Sequence, residues 1–228
     1  MLQLYIGNKN YSSWSMRSWV LLKQAGIPFE EVFVRFDSFS PGFQFRTVID
    51  AVNPAGKVPL LVDGDLAVWD TLAIAEYVAE QFPEKNLWPA DKKARARARS
   101  ICAEMHSGFM GIRSNCPMNI EADLPETGAI LWRDKPDVRA NVQRLVAMWT
   151  ELLEQHGGAM LFGDFTIADA YFAPICTRIK TYHLPVPEAI SAYIERVLAL
   201  PAVQAWVNEA KAEADFLPFE EPYRLSRV

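Results

Sequence analysis

The sequence predicts an α/β domain followed by an all-helical domain. Strand and helix patterns alternate over the first eighty residues, whereas no convincing strand alternation follows residue 90. Between these regions, the stretch FPEKNLWPADKK carries two prolines and several charges without periodicity, which is typical of a linker. We therefore expect domains at residues 1–82 and 91–228, joined by a linker at residues 83–90.

The first domain begins as a β-α-β unit. Leu2, Leu4 and Ile6 alternate with less apolar residues, and a strongly apolar helical pattern precedes a second strand. Strands joined in this way are parallel, with a right-handed crossover. An Asp-Gly turn then joins two apolar runs as a hairpin, and Asp70 is placed to cap the last helix. The predicted elements are strands at 2–6 and 29–34, a helix at 14–25, a short irregular helix ending near Asn53–Pro54, hairpin strands at 58–62 and 66–69, and a helix at 71–82.

Helical periodicity organises the second domain. Thr166 followed three residues later by Asp169 has the pattern of a capping box, which we interpret as structural. The segment from Arg113 to Lys135 is polar and is broken by two prolines and a glycine, so it is predicted to be a loop. The predicted helices lie at 91–114, 136–156, 166–182, 187–198 and 201–212.

Composition argues against several classes of function. The net charge of −5 is unsuited to nucleic acid or an anionic membrane surface, and the arginines of DKKARARARS fan out around a helix. The N-terminus is unlike a signal peptide and no apolar run reaches the ~18 residues of a membrane span, so we expect a cytoplasmic protein. Cys102, Cys116 and Cys176 are expected to be free, buried thiols, and no metal site is expected.

Three junctions are predicted to meet at one edge of the sheet. If the strand at 58–62 runs antiparallel beside the first strand, residues 11–14, 57–59 and 70–71 share that edge. Two of these junctions are helix N-termini, whose free N–H groups and dipole favour an anion. At Val58-Pro59 two alternatives stay open: a trans proline at a strand start, or a cis bond that turns the Val58 backbone towards a ligand. This edge is therefore the predicted site of an anionic ligand.

Four motifs in this order resemble the cytosolic glutathione transferase family: SSWSMR, NPAGKVPLL, WDTLAIAEYV and GDFTIADAYFAP. The resemblance covers nearly the whole chain. It implies the glutathione transferase fold, in which an α/β thioredoxin-like N-terminal domain is followed by an all-α C-terminal domain, and a homodimer. It also implies glutathione as co-substrate, without a metal, and a small hydrophobic electrophile bound between the domains.

The resemblance assigns roles in the first loop. This loop is similar to the zeta pattern Ser-Ser-Cys-Ser-Trp-Arg, which implies that Ser12 faces the glutathione thiol, with Ser13 beside it and Arg17 at the arginine position. Trp14 stands where that class has cysteine. Which serine contacts the sulfur stays open, because either could be only an N-cap. A thiol has a pKa of ~8.5, and a hydroxyl donor at a helix N-terminus would lower it and favour the thiolate.

The resemblance also implies how the tripeptide is held. Val58 would pair with the cysteinyl backbone across cis-Pro59, and Lys57 would contact the glycyl end, although Lys57 also fits an ordinary solvated lysine. Asp70 and Thr71 would hold the γ-glutamyl end, where the family usually has Glu-Ser or Gln-Ser. Because aspartate is one methylene shorter than glutamate, weaker tripeptide binding is expected.

A stripe on the helix at 91–114 is the candidate electrophile pocket. Met105, Phe109, Met110 and Arg113 recur at helical spacing, which predicts one face lining a pocket, with Arg113 near an anionic substrate group. The same spacing is typical of a bundle core, so core packing stays an alternative for the methionines. The leading hypothesis is a glutathione S-transferase. The alternatives are a glutathione-dependent isomerase similar to maleylacetoacetate isomerase and a non-catalytic glutathione-binding protein of the same fold.

Overall fold

The structure is a computed structural model, which describes residues 1–53 and 55–227. The strands are β1 (Leu2–Ile6), β2 (Phe29–Phe33), β3 (Leu60–Asp63) and β4 (Leu66–Trp69). The helices are α1 (Ser13–Gln24), α2 (Gln44–Asp50), α3 (Thr71–Gln81), α4 (Lys92–Ser107), α5 (Met110–Asn115), α6 (Pro125–Asp134), α7 (Pro136–His156), α8 (Ile167–Thr181), α9 (Glu188–Leu198) and α10 (Pro201–Glu213). The helix end predicted near Asn53–Pro54 includes residue 54, which lies outside the described residues, and α2 ends at Asp50.

The sheet has the predicted arrangement. Its strand order is β2-β1-β3-β4, with β1 parallel to β2 and antiparallel to β3, and with β3 antiparallel to β4. Leu4 is paired with Glu31 on one side and with Leu61 on the other, so β1 is a central strand. This topology brings the start of α1, the start of β3 and the start of α3 to one edge, as the sequence predicted.

The predicted loop between Arg113 and Lys135 is wrong, because α6 lies inside it. This helix begins with a proline at its first position and buries Leu131. Gly128 lies so close to α8 that a Cβ built on it would sit 1.7 Å from the carbonyl oxygen of Tyr182. The glycine that suggested a loop is therefore needed for close packing between helices.

The single helix predicted at 91–114 is also wrong, since the chain breaks between α4 and α5. Gly108 ends α4 in an extended conformation, and Phe109 takes a left-handed conformation with φ of 56°. Arg113 donates from one guanidinium nitrogen to the carbonyls of His106 and Gly108, which the break leaves without helical partners. The break re-aims every residue of the predicted stripe that follows it.

One hydrophobic core runs through both parts of the chain. Leu4, Ile6 and Met16 from the α/β region belong to the same buried cluster as Trp149 and Phe172 from the helices.

The cap of α8 has the predicted capping box, in which Thr166 and Asp169 satisfy each other's backbone N–H groups. Asp70 caps α3 as predicted, accepting a hydrogen bond from the backbone N–H of Leu72 at 3.1 Å.

Candidate active site

A cavity of about 700 Å³ lies where the three junctions meet. Residues from each junction line it, together with residues from the helical part of the chain. Of the predicted site residues, those on its wall are Ser12, Ser13, Lys57, Val58, Pro59, Asp70, Thr71 and Arg113. The structure thus brings together eight residues from four separate segments of the sequence.

The two serines have different hydrogen-bond partners. Ser12 is the N-cap of α1: its hydroxyl donates to Ser15 Oγ at 2.7 Å and accepts from the Ser15 backbone N–H at 3.4 Å. Ser13, the first residue of α1, is partly exposed on the cavity wall, and its Oγ accepts from a guanidinium nitrogen of Arg178 at 3.2 Å. The Ser12 hydroxyl is therefore used within the helix cap. The Ser13 hydroxyl accepts from Arg178, so its own proton stays available to donate to another group.

Arg178 was not predicted from the sequence. It is buried on α8 and also donates to the carbonyls of Cys116, at 2.9 Å, and Pro174, at 3.3 Å. Burial lowers its pKa to about 9, with smaller contributions from the charges of Arg17 and Arg113, so it stays protonated at pH 7. A positive charge is therefore buried directly behind the first residue of α1.

Arg17 lies behind the cavity wall rather than on it. Its guanidinium is stacked between the rings of Trp14 and Tyr171, at 4.2 and 4.7 Å from the ring centroids, and its Nε donates to the carbonyl of Tyr171. Burial lowers its pKa to about 10. Arg113 lies over the Trp14 ring at 4.8 Å. Trp14, which stands in the cysteine position of the zeta pattern, thus contacts two arginine side chains.

Asp70 and Thr71 belong to a polar network that crosses to the helical domain. Oδ2 of Asp70 lies 3.3 Å from Nε2 of His106, whose Nδ1 is 3.3 Å from the hydroxyl of Tyr171. That hydroxyl is also hydrogen-bonded to the Thr71 hydroxyl. Burial raises the pKa of Tyr171, so the phenol is neutral and able to donate. Both predicted γ-glutamyl residues are therefore held by side chains from α4 and α8.

At the third junction, the peptide bond between Val58 and Pro59 is cis, which is the second of the two alternatives left open by the sequence. Pro59 is buried, Val58 is partly buried, and β3 begins only at Leu60. Lys57 is exposed at the rim of the cavity. The backbone of Val58 therefore lies at the cavity wall, outside the regular strand.

Three of the four residues predicted for the electrophile pocket do not line the cavity. Met105 and Phe109 are buried in the hydrophobic core, and Met110, at the start of α5, is 56% exposed. The break at Gly108 and Phe109 is the reason, because it ends the helical spacing on which the stripe depends: Phe109 stays buried, whereas Met110 turns outward. Core packing, the alternative for Met105, is the arrangement found. Arg113 alone of the four lines the cavity, where burial lowers its pKa.

Several wall residues carried no sequence signal of function. Besides Arg178 and His106, they are Phe36, Phe39, Phe45, Pro117, Met118 and Glu220. The phenylalanines form edge-to-face contacts, and Phe39 reaches Phe219 near the C-terminal end of the described chain. Only their positions in the fold place them at the site, since they come from loops and from helices distant in sequence.

Two kinds of feature are absent from the part of the chain that the structure describes. No helix in residues 1–53 and 55–227 is long and apolar enough to cross a membrane. Within the same part of the chain, no group of three or more His, Cys, Asp or Glu side chains is arranged to hold a metal ion.

A four-stranded mixed sheet carrying a cis-proline junction, followed by a helical bundle that completes the cavity, defines a thioredoxin-like protein with an all-α C-terminal domain. The family models for the N-terminal and C-terminal domains of glutathione S-transferase match residues 11–81 and 117–209. The chain belongs to the glutathione S-transferase family.

Individual relatives agree with this assignment. The chain is 30% identical to Glutathione S-transferase 1 of Dianthus caryophyllus, over 76% of this chain and 75% of that protein. It is 29% identical to a probable maleylacetoacetate isomerase of Caenorhabditis elegans, over 87% and 89% of the two chains. Its fold matches a crystal structure of a glutathione transferase homologue from Burkholderia GL BGR1 with bound glutathione, with a TM-score of 0.68 and 27% identity, over 92% and 98% of the two chains.

Proposed function

We propose that the protein is a glutathione S-transferase that binds glutathione in this cavity and transfers its thiolate to a small hydrophobic electrophile. The observation that carries the proposal is the convergence of the α1 N-terminus, the Val58-Pro59 junction and the α3 N-terminus on one cavity. These are the three positions to which the family resemblance assigns the thiol, the cysteinyl backbone and the γ-glutamyl group.

The side chains present fit the tripeptide. Lys57 at the rim offers a cation to the glycyl carboxylate, and Val58 offers its backbone at the cysteinyl position. Asp70 is an anion placed for the γ-glutamyl amino group, while the N-terminus of α3 suits its carboxylate. Ser12 and Ser13 lie at the N-terminus of α1, where a sulfur anion would be stabilised by the helix dipole and a hydroxyl donor.

The chemistry is nucleophilic attack by sulfur. Glutathione loses its thiol proton to solvent, and the thiolate forms a bond to the electrophilic carbon. A leaving group departs with its electron pair or, in an addition, the product carbanion takes a proton. Since a free thiol with a pKa of ~8.5 is only a few per cent ionised at pH 7, the protein's contribution is to raise that fraction and to hold the two reactants together.

The test is the pKa of the bound glutathione thiol, followed by thiolate absorbance against pH in wild type, Ser12→Ala and Ser13→Ala. We expect a wild-type value well below 8.5 and a rise towards it in the variant that lacks the sulfur partner. Tight binding of glutathione with an unshifted thiol pKa would overturn thiolate activation and support the non-catalytic alternative.

An isomerase is the second candidate, and Arg113 favours it. An arginine on the wall of an electrophile pocket suits a substrate with a carboxylate. In this reaction the thiolate adds to a carbon–carbon double bond, which becomes a single bond. The molecule rotates about that carbon–carbon bond, and the thiolate then leaves as the double bond forms again. Turnover of maleylacetoacetate, with loss of activity in Arg113→Gln, would place this activity ahead of conjugation.

The assembly and location expected for the family extend the proposal. We propose a homodimer in the cytoplasm, with the first domain of one subunit against the second domain of the other. Light scattering coupled to gel filtration tests the assembly, and a single-subunit mass of about 26 kDa would overturn it.

A further inference from the structure

Three arginines surround the first turn of α1 without a carboxylate partner. Arg17, Arg113 and Arg178 donate only to carbonyl or hydroxyl oxygens among the residues that the structure describes. None of them takes part in any ion pair found in that part of the chain. Buried charges are normally paired, because desolvation makes an isolated one costly. Such a cluster next to a cavity indicates that an anion is the missing partner.

Arg178 differs from the other two arginines in its hydrogen-bond partners. Arg17 stacks on the rings of Trp14 and Tyr171, and Arg113 donates to backbone carbonyls of its own helical break. Arg178 instead reaches from α8 to a side chain of α1, the hydroxyl of Ser13. Its other two contacts, to Cys116 and Pro174, fix the guanidinium in place.

This contact determines what the Ser13 hydroxyl can do. A guanidinium has donors but no acceptor, so at this contact Ser13 Oγ accepts and its own proton remains free. Ser13 lines the cavity, and the proton therefore has the cavity as its open direction. Ser12 has the opposite arrangement, because its hydroxyl donates to Ser15.

We propose that Arg178 is a positioning residue, which holds Ser13 Oγ as an acceptor so that the Ser13 hydroxyl proton is directed at the sulfur of bound glutathione. This inference rests on the proposed function and deepens it. A hydrogen bond whose donor is itself polarised by a cation is strengthened, and the buried positive charge adds direct attraction for the thiolate. The thiolate is then the anion that the arginine cluster lacks.

The experiment measures the pKa of the bound glutathione thiol in Arg178→Gln, Ser13→Ala and the double variant. We expect Arg178→Gln to raise that pKa by about one, so that at pH values below the wild-type thiol pKa the thiolate fraction falls about tenfold and kcat/KM falls with it. Activity should recover as the pH is raised. Since the hydrogen-bond part of the effect acts through Ser13, the double variant should show a smaller rise than the sum of the rises in the two single variants.

Matched variants separate positioning from structure. Arg144→Gln makes the same substitution at a surface arginine that pairs with Glu104, and it should leave the thiol pKa unchanged. Arg178→Lys keeps the charge and should restore part of the effect. A merely structural role for Arg178 predicts a lower melting temperature with a wild-type thiol pKa, and this result would overturn the proposal.

The outcomes also distinguish this inference from the proposed function. An unshifted thiol pKa in the wild type defeats thiolate activation itself. A depressed wild-type pKa that neither Arg178→Gln nor Ser13→Ala raises defeats only the role of Arg178. If Arg178→Gln does not fold, Ser13→Ala decides: a wild-type thiol pKa in that variant overturns the proposal, because the acceptor is gone.

Discussion

Nε2 of His106 lies 3.3 Å from Oδ2 of Asp70, across the boundary between the helical domain and the N-terminus of α3. The same imidazole reaches Tyr171, and through it Thr71, so one histidine on α4 connects both predicted γ-glutamyl residues. Aspartate is one methylene shorter than the glutamate that is usual in the family, and His106 is the side chain that contacts Oδ2 of Asp70. The end of the cavity that is predicted to hold the γ-glutamyl group is therefore built from both domains.

We expect His106→Ala to weaken glutathione binding. Losing the imidazole frees Asp70 and removes one partner of Tyr171, and the loss of one or two such hydrogen bonds corresponds to about 5–30-fold in Kd. Isothermal titration of glutathione measures this change. His183→Ala, at an exposed histidine paired with Asp123, is the control and should leave the Kd unchanged. An unchanged Kd with reduced kcat would instead assign His106 to the electrophile side.

The topology of the first domain could be predicted because its signals are local. The Asp63-Gly64 turn fixes the hairpin, and the β-α-β unit fixes the parallel pair, so the position of the three junctions follows from strand order. The α6 segment could not be predicted in the same way. Gly128 has low helix propensity, and its value lies in the close contact with Tyr182, which is 54 residues away in the sequence.

The site residues also differ in whether local sequence signals could predict them. Ser12, Ser13, Asp70 and Thr71 lie at element junctions, where a motif is short and continuous, and all four reach the cavity. Arg178 is a buried arginine within a helix whose residues are nearly all buried, and nothing in the sequence around it marks it as facing α1. The spacing of the methionine stripe predicts a common face only if the helix is continuous, and Gly108 with Phe109 ends that continuity.

The contrast between Arg113 and Met110 tests the corrected pocket. Arg113 lines the cavity, so we expect Arg113→Gln to reduce kcat/KM about tenfold for an electrophile that carries a carboxylate, and by much less for a neutral one. Met110→Ala removes an exposed side chain and should change neither. Steady-state kinetics with a matched pair of electrophiles checks both. Melting temperatures are needed alongside, because Arg113 also binds two backbone carbonyls.

Equal losses with charged and neutral electrophiles in Arg113→Gln would mean that the residue supports the wall of the cavity and does not recognise charge. An effect of Met110→Ala would mean that α5 moves towards the cavity when substrate binds.

Tyr11, the residue before the N-cap Ser12, connects two distant parts of the chain through its hydroxyl. Its hydroxyl donates to Glu221 Oε1 at 2.8 Å and accepts from the backbone N–H of Leu217 at 3.2 Å, so it ties the first loop to the C-terminal part of the described chain. Burial is the main cause that raises its pKa to about 12, and Glu221 adds to the shift.

The sign of the pH dependence follows from this shift. Between pH 10 and 12 the unfolded chain loses the phenol proton first, so the folded state binds more protons and stability falls as the pH rises. At about 1.4 kcal/mol for each unit of pKa, Tyr11 contributes roughly 3 kcal/mol that is present below pH 10 and mostly lost by pH 12. We expect Tyr11→Phe to be less stable than wild type at pH 8, with the two free energies of unfolding converging by pH 12. Urea unfolding of both proteins over this pH range measures the difference between their free energies of unfolding. The other tyrosines are present in both proteins, so their titration does not contribute to that difference. A difference that stays constant from pH 8 to pH 12 would contradict the prediction, because Tyr11 would then titrate alike in both states.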